Sequence, residues 1–367
     1  MLLYYMSFSF NFGVTENDAV IDQQHQRRAQ HQHYPAQQNE IEIRNSSFAW
    51  LYDEEKNTSD SEVVSILPGR SLHSDDDNNN ELRHNENDDK EDEYVLRVHE
   101  GSSSFQNTNT DLISGIYEGG LKVWECSMDL FRYFCNHEEM IAVKGHILEI
   151  GCGHAIPSIW ILKNSILKSK NCYQNNLIKA NDVTNNNDND NDNDDCFVTF
   201  ADYNDFVIRD VTMRNVALNV KDAYSKTTRQ PEECNSWIAK HCAFGAGDWL
   251  AMSDDLLHHK VSKRPEPLAI PKDGVFDCII ATETNYSESS AMETANILAK
   301  HLKPGTGVAY ISTKRYYFGV GGGTKCFCDA LQQNNNAHHK YHIEILQELD
   351  NGVGNIRDLL LVKSLNL

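Results

Sequence analysis

The stretch that decides the fold is residues 147–155, which read ILEIGCGHA. A short apolar run ends there in two glycines one residue apart, and an apolar helical pattern follows up to about Leu167. A strand, a glycine turn and a helix in this order bring the backbone close to a ligand, because a side chain in the turn would block the approach. A dinucleotide site would need a third glycine where Ile156 stands, so that fingerprint is absent.

Glu149 precedes the turn and completes the pattern E-x-G-x-G, which is typical of S-adenosylmethionine sites. The pattern alone is also consistent with a tight turn that binds nothing. A second motif, FADYN at residues 200–204, ends the next apolar run. Asp202 can there accept hydrogen bonds from both ribose hydroxyls of an adenosyl ligand, or it can cap a helix. Its distance from the glycine turn becomes the usual one of about twenty residues once segment 171–195 is taken as an insertion, so the two motifs together favour ribose binding.

Two further motifs follow later strands, GAGDW at residues 245–249 and ATETNY at residues 281–286. Asp248 can accept a hydrogen bond from an adenine amino group while Trp249 covers the ring, but capping of the next helix by Asp248 is equally consistent. The second motif ends the fourth strand, which should flank the ligand crevice of an open α/β sheet. We therefore expect Thr282 and Glu283 to face the transferred methyl group or its acceptor.

Apolar runs alternate with helical segments from about residue 112 onwards, and an Asp-Asn-Gly turn at residues 350–352 joins the last two runs. This order predicts a doubly wound α/β domain with a seven-stranded, mostly parallel sheet and a C-terminal antiparallel hairpin. We place the domain at residues 111–367, with disordered insertions at about 171–195 and 221–237. Residues 1–110 are predicted to be a low-complexity, mostly disordered region, apart from an apolar island at residues 63–72.

Composition limits the classes of partner. The formal net charge of −21 disfavours nucleic acid and attracts basic proteins. The ten cysteines show neither a disulfide framework nor the spacing of a metal site, so we expect no bound metal and reduced thiols in the cytoplasm or nucleus. Since no stretch approaches the length of a membrane span, we expect a soluble protein.

Two long stretches narrow the interpretation, DLISGIYEGGLKVWEC at residues 111–126 and KRYYFGVGGG at residues 314–323. Together with the motifs above, they resemble the histidine protein methyltransferases, which are seven-stranded class I enzymes that use S-adenosylmethionine. The resemblance implies methyl transfer to a histidine ring nitrogen of a protein, and it implies the third large-subunit ribosomal protein as the acceptor. A lysine protein methyltransferase of the same fold and a non-catalytic binding module are the alternatives.

The resemblance also implies which residues hold the cofactor. The methionine end would be wrapped by Val123, Trp124, Glu125, Cys126 and Ser127, and its amino acid portion would lie on Gly151 and Gly153 after Glu149. The ribose would be held by Asp202, Tyr203 and Asn204, adenine by Gly247, Asp248 and Trp249, and Thr282 would complete the cleft. Ala155 and Ser158 stand where the family has glycine. Glu283 is our candidate catalytic residue, because it can hold the second nitrogen of the acceptor ring.

Overall fold

The computed structural model describes ten segments of the chain. They are residues 48–51, 63–66, 96–99, 119–138, 144–168, 196–227, 229–258, 269–335, 340–352 and 354–365. The predicted insertion at 171–195, the first half of the motif at 111–126 and most of the predicted N-terminal region lie outside these segments.

The central element is one mixed sheet. The strands of the described segments are β1 (Phe48–Leu51), β2 (Val63–Ile66), β3 (Leu96–His99), β4 (Gly145–Ile150), β5 (Cys196–Asp202), β6 (Cys242–Gly247), β7 (Cys278–Thr282), β8 (Val308–Lys314), β9 (Lys340–Asp350) and β10 (Ile356–Leu365). Eight of them pair in the order β1-β6-β5-β4-β7-β8-β10-β9. Strands β4 to β8 run parallel to one another, and β10 is antiparallel to both β8 and β9. The predicted doubly wound, mostly parallel sheet with a C-terminal antiparallel hairpin is therefore confirmed.

Three short strands come from the region before residue 111. Strand β1 pairs antiparallel with β6 and extends the predicted seven-stranded sheet by an eighth strand. Strands β2 and β3 form a separate two-stranded antiparallel sheet, and β2 lies in the apolar island that the sequence analysis singled out. A strand beside β6 covers hydrogen-bonding groups that would otherwise form an open sheet edge.

Helices cover both faces of the sheet. They are α1 (Glu125–Asn136), α2 (Ile156–Lys168), α3 (Met213–Ser225), α4 (Cys234–His241), α5 (Trp249–His258), α6 (Glu288–His301) and α7 (Thr324–Gln333). The middle of β4 is apolar at consecutive positions because both faces of the strand are covered, with Ile147 packed into the core on one face and Leu148 into the core on the other. Within the described segments, no helix is long and apolar enough to cross a membrane.

The expected disordered insertion at about 221–237 is not what the structure has. Residues up to Ser225 continue α3, Pro231 starts a single 3₁₀ turn, and α4 begins at Cys234. Tyr224 is buried in the core, and Asp222 forms a 2.9 Å ion pair with the buried Lys163. The polar composition of this segment suggested disorder. The segment is ordered by contacts with other elements, which composition alone does not indicate.

Candidate active site

The sheet order defines one crevice at the carboxyl ends of the parallel strands. Strand β4 lies between β5 and β7. The chain adds β5 and β6 on one side of β4 and then returns to add β7 and β8 on the other side. This reversal of strand order is a switch point, where open α/β sheets bind ligands. The structure brings four predicted site residues to this edge: Gly151 follows β4, Asp202 ends β5, Gly247 ends β6 and Thr282 ends β7. The carboxyl-end positions expected from the sequence are thus adjacent in the fold.

The glycine turn after β4 requires its glycines. Gly151 and Gly153 have φ values of +58° and +49°, in the left-handed region. A Cβ on Gly151 would lie 2.9 Å from a methyl carbon of Thr284, and one on Gly153 would lie 3.1 Å from the carbonyl oxygen of Gly120. Ala155 also has a positive φ of +55°. Because alanine has a Cβ, this left-handed conformation has a conformational cost that glycine would not have.

Asp202 is buried and oriented by backbone donors. The amide of Gly153 donates to its Oδ2 atom at 3.0 Å, and the amide of Asn204 donates to its Oδ1 atom at 3.1 Å. On the other side of the turn, the hydroxyl of Thr212 donates to the carbonyl of Gly153 at 2.6 Å. Each carboxylate oxygen accepts more than one hydrogen bond, so these two amide donors do not by themselves saturate Asp202.

Thr212 reaches the turn because the helix after β5 is irregular. Its first turn, Asp205–Val207, is followed by the π-helical segment Ile208–Thr212 before α3 begins. Such π-bulges often occur at functional sites, since they redirect side chains. Thr212 has no predicted role in the site, because no local sequence pattern signals a π-bulge.

Among the predicted site residues, Glu149 gives the strongest indication that the crevice binds a ligand. It is 1% exposed, and neither carboxylate oxygen makes a hydrogen bond. Burial raises its pKa to about 8, although the hydroxyl and the amide of Ser158 lie close enough to favour the ionised form without completing a hydrogen bond of normal geometry. A buried carboxylate without a donor is costly. The amino group of a methionine moiety would supply the missing charge and donor, so this residue fits S-adenosylmethionine.

Trp249 and Asp248 follow β6 beside the same turn. A Cβ placed on Gly151 would lie 3.4 Å from the ring of Trp249. The indole N–H of Trp249 has no hydrogen-bond partner among the described residues. The Oδ1 atom of Asp248 accepts from the amides of Leu250 and Ala251, both at 3.0 Å. Asp248 therefore caps α5, which was one of the two roles predicted for it. The hydrogen bonds of the cap involve Oδ1 and not Oδ2.

Glu283 directly follows β7 in a strained conformation, with a φ of +57° that is uncommon for a residue other than glycine. One oxygen, Oε2, accepts a short hydrogen bond from the hydroxyl of Tyr317. The other, Oε1, is buried without a hydrogen bond and lies 3.9 Å from the Nζ atom of Lys314. Burial, reinforced by the charge of Glu283, raises the pKa of Tyr317 well above its usual value, so Tyr317 acts as a donor.

The segment 123–127 borders this carboxylate from the other side. Trp124 donates its indole N–H to the carbonyl of Gly119 at 2.9 Å and precedes α1. Cys126 is fully buried, and burial together with the charge of Glu283 raises its pKa. Glu125 instead contacts Asn355 and Arg357 of the C-terminal hairpin region, so its carboxylate links α1 to β10.

The remaining predicted residues occupy supporting positions. Val123 packs against the core, the amide of Ser127 donates to the carbonyl of Trp124 at 3.1 Å, and the partly buried Tyr203 follows Asp202. Lys314 and Tyr317 had no predicted role, although both lie in the motif at 314–323. Their contacts with Glu283 depend on β8 lying next to β7, which the motif itself does not indicate.

A substitution at Gly151 tests the turn. We expect Gly151→Ala to lose about 1–2 kcal/mol of stability from the left-handed backbone alone, with an added cost for the contact with Thr284. Gly352→Ala is the matched control, because Gly352 has a φ of +76° and nothing within 4 Å of the added Cβ. Urea unfolding should show the larger loss at Gly151, and only that variant should bind S-adenosylhomocysteine more weakly. Equal losses at both positions would contradict the close packing of the turn.

A second prediction concerns pH. Because the pKa of Glu149 is about 8 in the folded chain and ordinarily 4.5, its contribution to stability is present below pH 4.5 and is lost as pH rises through 8. Glu149→Gln should therefore stabilise the ligand-free protein relative to the wild type, by on the order of 2 kcal/mol more near pH 8 than near pH 6. Denaturant unfolding of both proteins at the two pH values measures this difference. A difference that does not change with pH would show that Glu149 is ionised in both states.

Comparisons with known proteins agree in naming one activity. The chain is 30% identical over 252 residues to "Histidine protein methyltransferase 1 homolog" of Dictyostelium discoideum, an alignment that covers 68% of this chain and 60% of that protein. It is 28% identical over 259 residues to the Bos taurus protein of the same name, covering 67% of this chain and 57% of that protein. The "Histidine protein methyltransferase 1" of Saccharomyces cerevisiae is 28% identical over 262 residues, covering 63% of this chain and 61% of that protein. The chain thus spans about 60% of the length of the curated relatives it matches.

Other comparisons are less informative. No protein-family model matches the chain. Among solved structures, an S-adenosylmethionine-dependent methyltransferase from Methanosarcina mazei is 14% identical with a TM-score of 0.33, covering 63% of this chain and 97% of that chain.

Proposed function

Because this chain is a relative of the histidine protein methyltransferases, we propose that it transfers a methyl group from S-adenosylmethionine to a histidine ring nitrogen of a protein. The observation that carries the proposal is a set of buried carboxylate oxygens without a hydrogen bond at the ends of neighbouring strands, both oxygens of Glu149 and Oε1 of Glu283. The first suits the cationic amino end of the cofactor. The second suits an N–H of an acceptor ring.

Each end of the cofactor has a matching group on this chain. When bound, S-adenosylmethionine supplies an electrophilic methyl group. Asp202 would accept hydrogen bonds from the ribose hydroxyls, Glu149 would pair with the amino group, and Trp249 would cover the adenine. The chain's contribution is to align the methyl group with the acceptor and to exclude water from the crevice.

A histidine acceptor needs orientation more than it needs a base. A free histidine with a pKa near 6.5 is roughly three-quarters neutral at pH 7, whereas a lysine with a pKa near 10.4 is neutral in only about 0.04% of molecules. The neutral ring has two tautomers, and only the nitrogen without the proton can attack. Glu283 would accept the N–H of one ring nitrogen through Oε1, which leaves the lone pair of the other nitrogen directed at the methyl group.

The acceptor protein that we propose is the third large-subunit ribosomal protein. The acidic character of this chain, with a net charge of −21, suits a basic ribosomal partner and disfavours direct binding of nucleic acid. We place the reaction in the cytoplasm and nucleus.

The experiment that tests the function identifies the methylated side chain. The purified chain is incubated with tritiated S-adenosylmethionine and ribosomal protein, and the hydrolysed product is resolved into methylhistidine and methyllysine. We expect methylhistidine. Methyllysine instead would favour the lysine protein methyltransferase, and the absence of any transfer by folded protein would favour a non-catalytic binding module.

A further inference from the structure

We propose that Lys314 is a specificity-determining residue, whose ammonium group lets the acceptor pocket admit a neutral imidazole and reject an amine that arrives as a cation. This inference rests on the proposed function, because it concerns the acceptor of that same site. It selects between histidine and lysine, the two acceptors that the fold alone leaves open.

The ammonium of Lys314 is enclosed by groups that bind cations. Its Nζ atom lies 5.6 Å from the ring centroid of Trp124 and 5.6 Å from that of Tyr317. The same atom lies 3.9 Å from Oε1 of Glu283, and the side chain is only 10% exposed. Two aromatic faces and a carboxylate form the kind of cage that elsewhere receives a cationic ligand. Here the chain supplies a cation of its own.

The cage lies beside the cofactor crevice. Glu283 is followed by Thr284, whose methyl carbon would lie 2.9 Å from a Cβ placed on Gly151. The loop that leads to Trp124 also reaches the turn, because the carbonyl oxygen of Gly120 would lie 3.1 Å from a Cβ on Gly153. An acceptor that reaches Oε1 of Glu283 therefore enters next to the glycine turn and next to Lys314.

Among the described residues, the two carboxylates of α1 that lie near the cage are paired with a cation. On α1, Asp129 is paired with Arg357 of β10 at 2.5 Å, and Glu125 lies 3.5 Å from the same guanidinium. A further ammonium, that of Lys122, lies 4.6 Å from the ring centroid of Trp124. Within the described segments, Glu283 is thus the carboxylate that faces the cage, and its charge is compensated by the ion pair with Lys314.

This arrangement treats the two acceptors differently. A neutral imidazole donates one N–H to Oε1 of Glu283 and adds no charge, so Lys314 keeps its place in the cage. An incoming lysine is an ammonium at neutral pH, and like charges a few ångströms apart in a poorly solvated site repel strongly. Rejection of the ammonium does not depend on the rest of the substrate, so it acts on any polypeptide that reaches the cage.

The test compares Lys314→Met, which keeps the length of the side chain and removes its charge, with Lys314→Arg, which keeps the charge. Each protein methylates ribosomal protein with tritiated S-adenosylmethionine, and methylhistidine and methyllysine are quantified. We expect Lys314→Met to lower the ratio of methylhistidine to methyllysine by about tenfold or more, and Lys314→Arg to preserve it. A ratio in Lys314→Met equal to that of the wild type overturns the role of Lys314, whereas a wild type that forms no methylhistidine overturns the proposed function itself.

A second measurement does not depend on the protein substrate. Imidazole and n-butylammonium are compared as inhibitors of the wild type, of Lys314→Met and, should Lys314→Met fail to fold, of Lys314→Gln. We expect imidazole to inhibit the wild type more strongly, and removal of the charge to shift the ratio of the two inhibition constants by about tenfold towards n-butylammonium. Unchanged ratios in folded variants would show that the ammonium of Lys314 does not select the acceptor.

Discussion

Replacement of Asp202 by alanine should raise the KM for S-adenosylmethionine by about 100-fold or more, since a hydrogen bond to a charged group contributes roughly 1.5–3 kcal/mol and two ribose hydroxyls would each lose one. Steady-state kinetics with varied cofactor measures this effect. Asp202 also accepts from the amides of Gly153 and Asn204, so a lower unfolding temperature should accompany the loss of affinity.

Asp205→Ala is the matched control for this prediction. Asp205 lies three positions further along the chain, and its side chain is 67% exposed in a 3.8 Å ion pair with Arg209. Exposed pairs contribute little to stability, so this variant should bind the cofactor as the wild type does. If Asp202→Ala retained the wild-type KM for the cofactor, the ribose would have to bind elsewhere.

Glu283→Gln should lower kcat by about 100-fold or more at saturating cofactor, in the range that positioned acid–base and orienting groups contribute. The amide places an N–H donor on a side chain whose two oxygens face the Tyr317 hydroxyl and, in the proposed function, the acceptor N–H. The affinity for S-adenosylhomocysteine should change by less than about threefold, because Glu283 is not assigned to the cofactor. Quenched time courses measure kcat, and calorimetric titrations measure the affinity for S-adenosylhomocysteine.

Glu288→Gln provides the control on the same segment. Glu288 is exposed in the first turn of α6, five positions after Glu283, so its substitution removes an equal charge from the same region. Its kcat should match the wild type. An undiminished kcat in Glu283→Gln would remove the orienting role and leave Glu283 as a structural partner of Tyr317.

Most of the fold could be predicted because local patterns determine it. The apolar runs of β4 and β7, the glycine turn between β4 and α2, and the Asp-Asn-Gly hairpin each carry their own signal in the sequence. What could not be predicted depends on distant contacts. Strand β1 is defined by its pairing with β6, and residues 221–225 are helical because Tyr224 and Asp222 find partners elsewhere in the fold.

The same distinction between local sequence signals and distant contacts applies to the residues of the candidate site. Asp202 and Glu283 could be identified because the ends of parallel strands are readable from the sequence, and such ends converge in an open sheet. The helix cap that Asp248 forms required coordinates, and since a cap is compatible with adenine binding, the adenine assignment stays a prediction. The cage around Lys314 combines residues from three separated segments of the chain, so no single motif could have revealed it. The assignment of individual residues to the cofactor stays a prediction.

Calorimetric titration of the purified wild-type chain with S-adenosylhomocysteine tests most directly whether the crevice at β4, β5 and β7 holds an adenosyl cofactor. We predict saturable binding at one site per chain, with a higher unfolding temperature in the presence of this compound or of S-adenosylmethionine. Folded protein that shows neither heat of binding nor any thermal shift with either compound would contradict it.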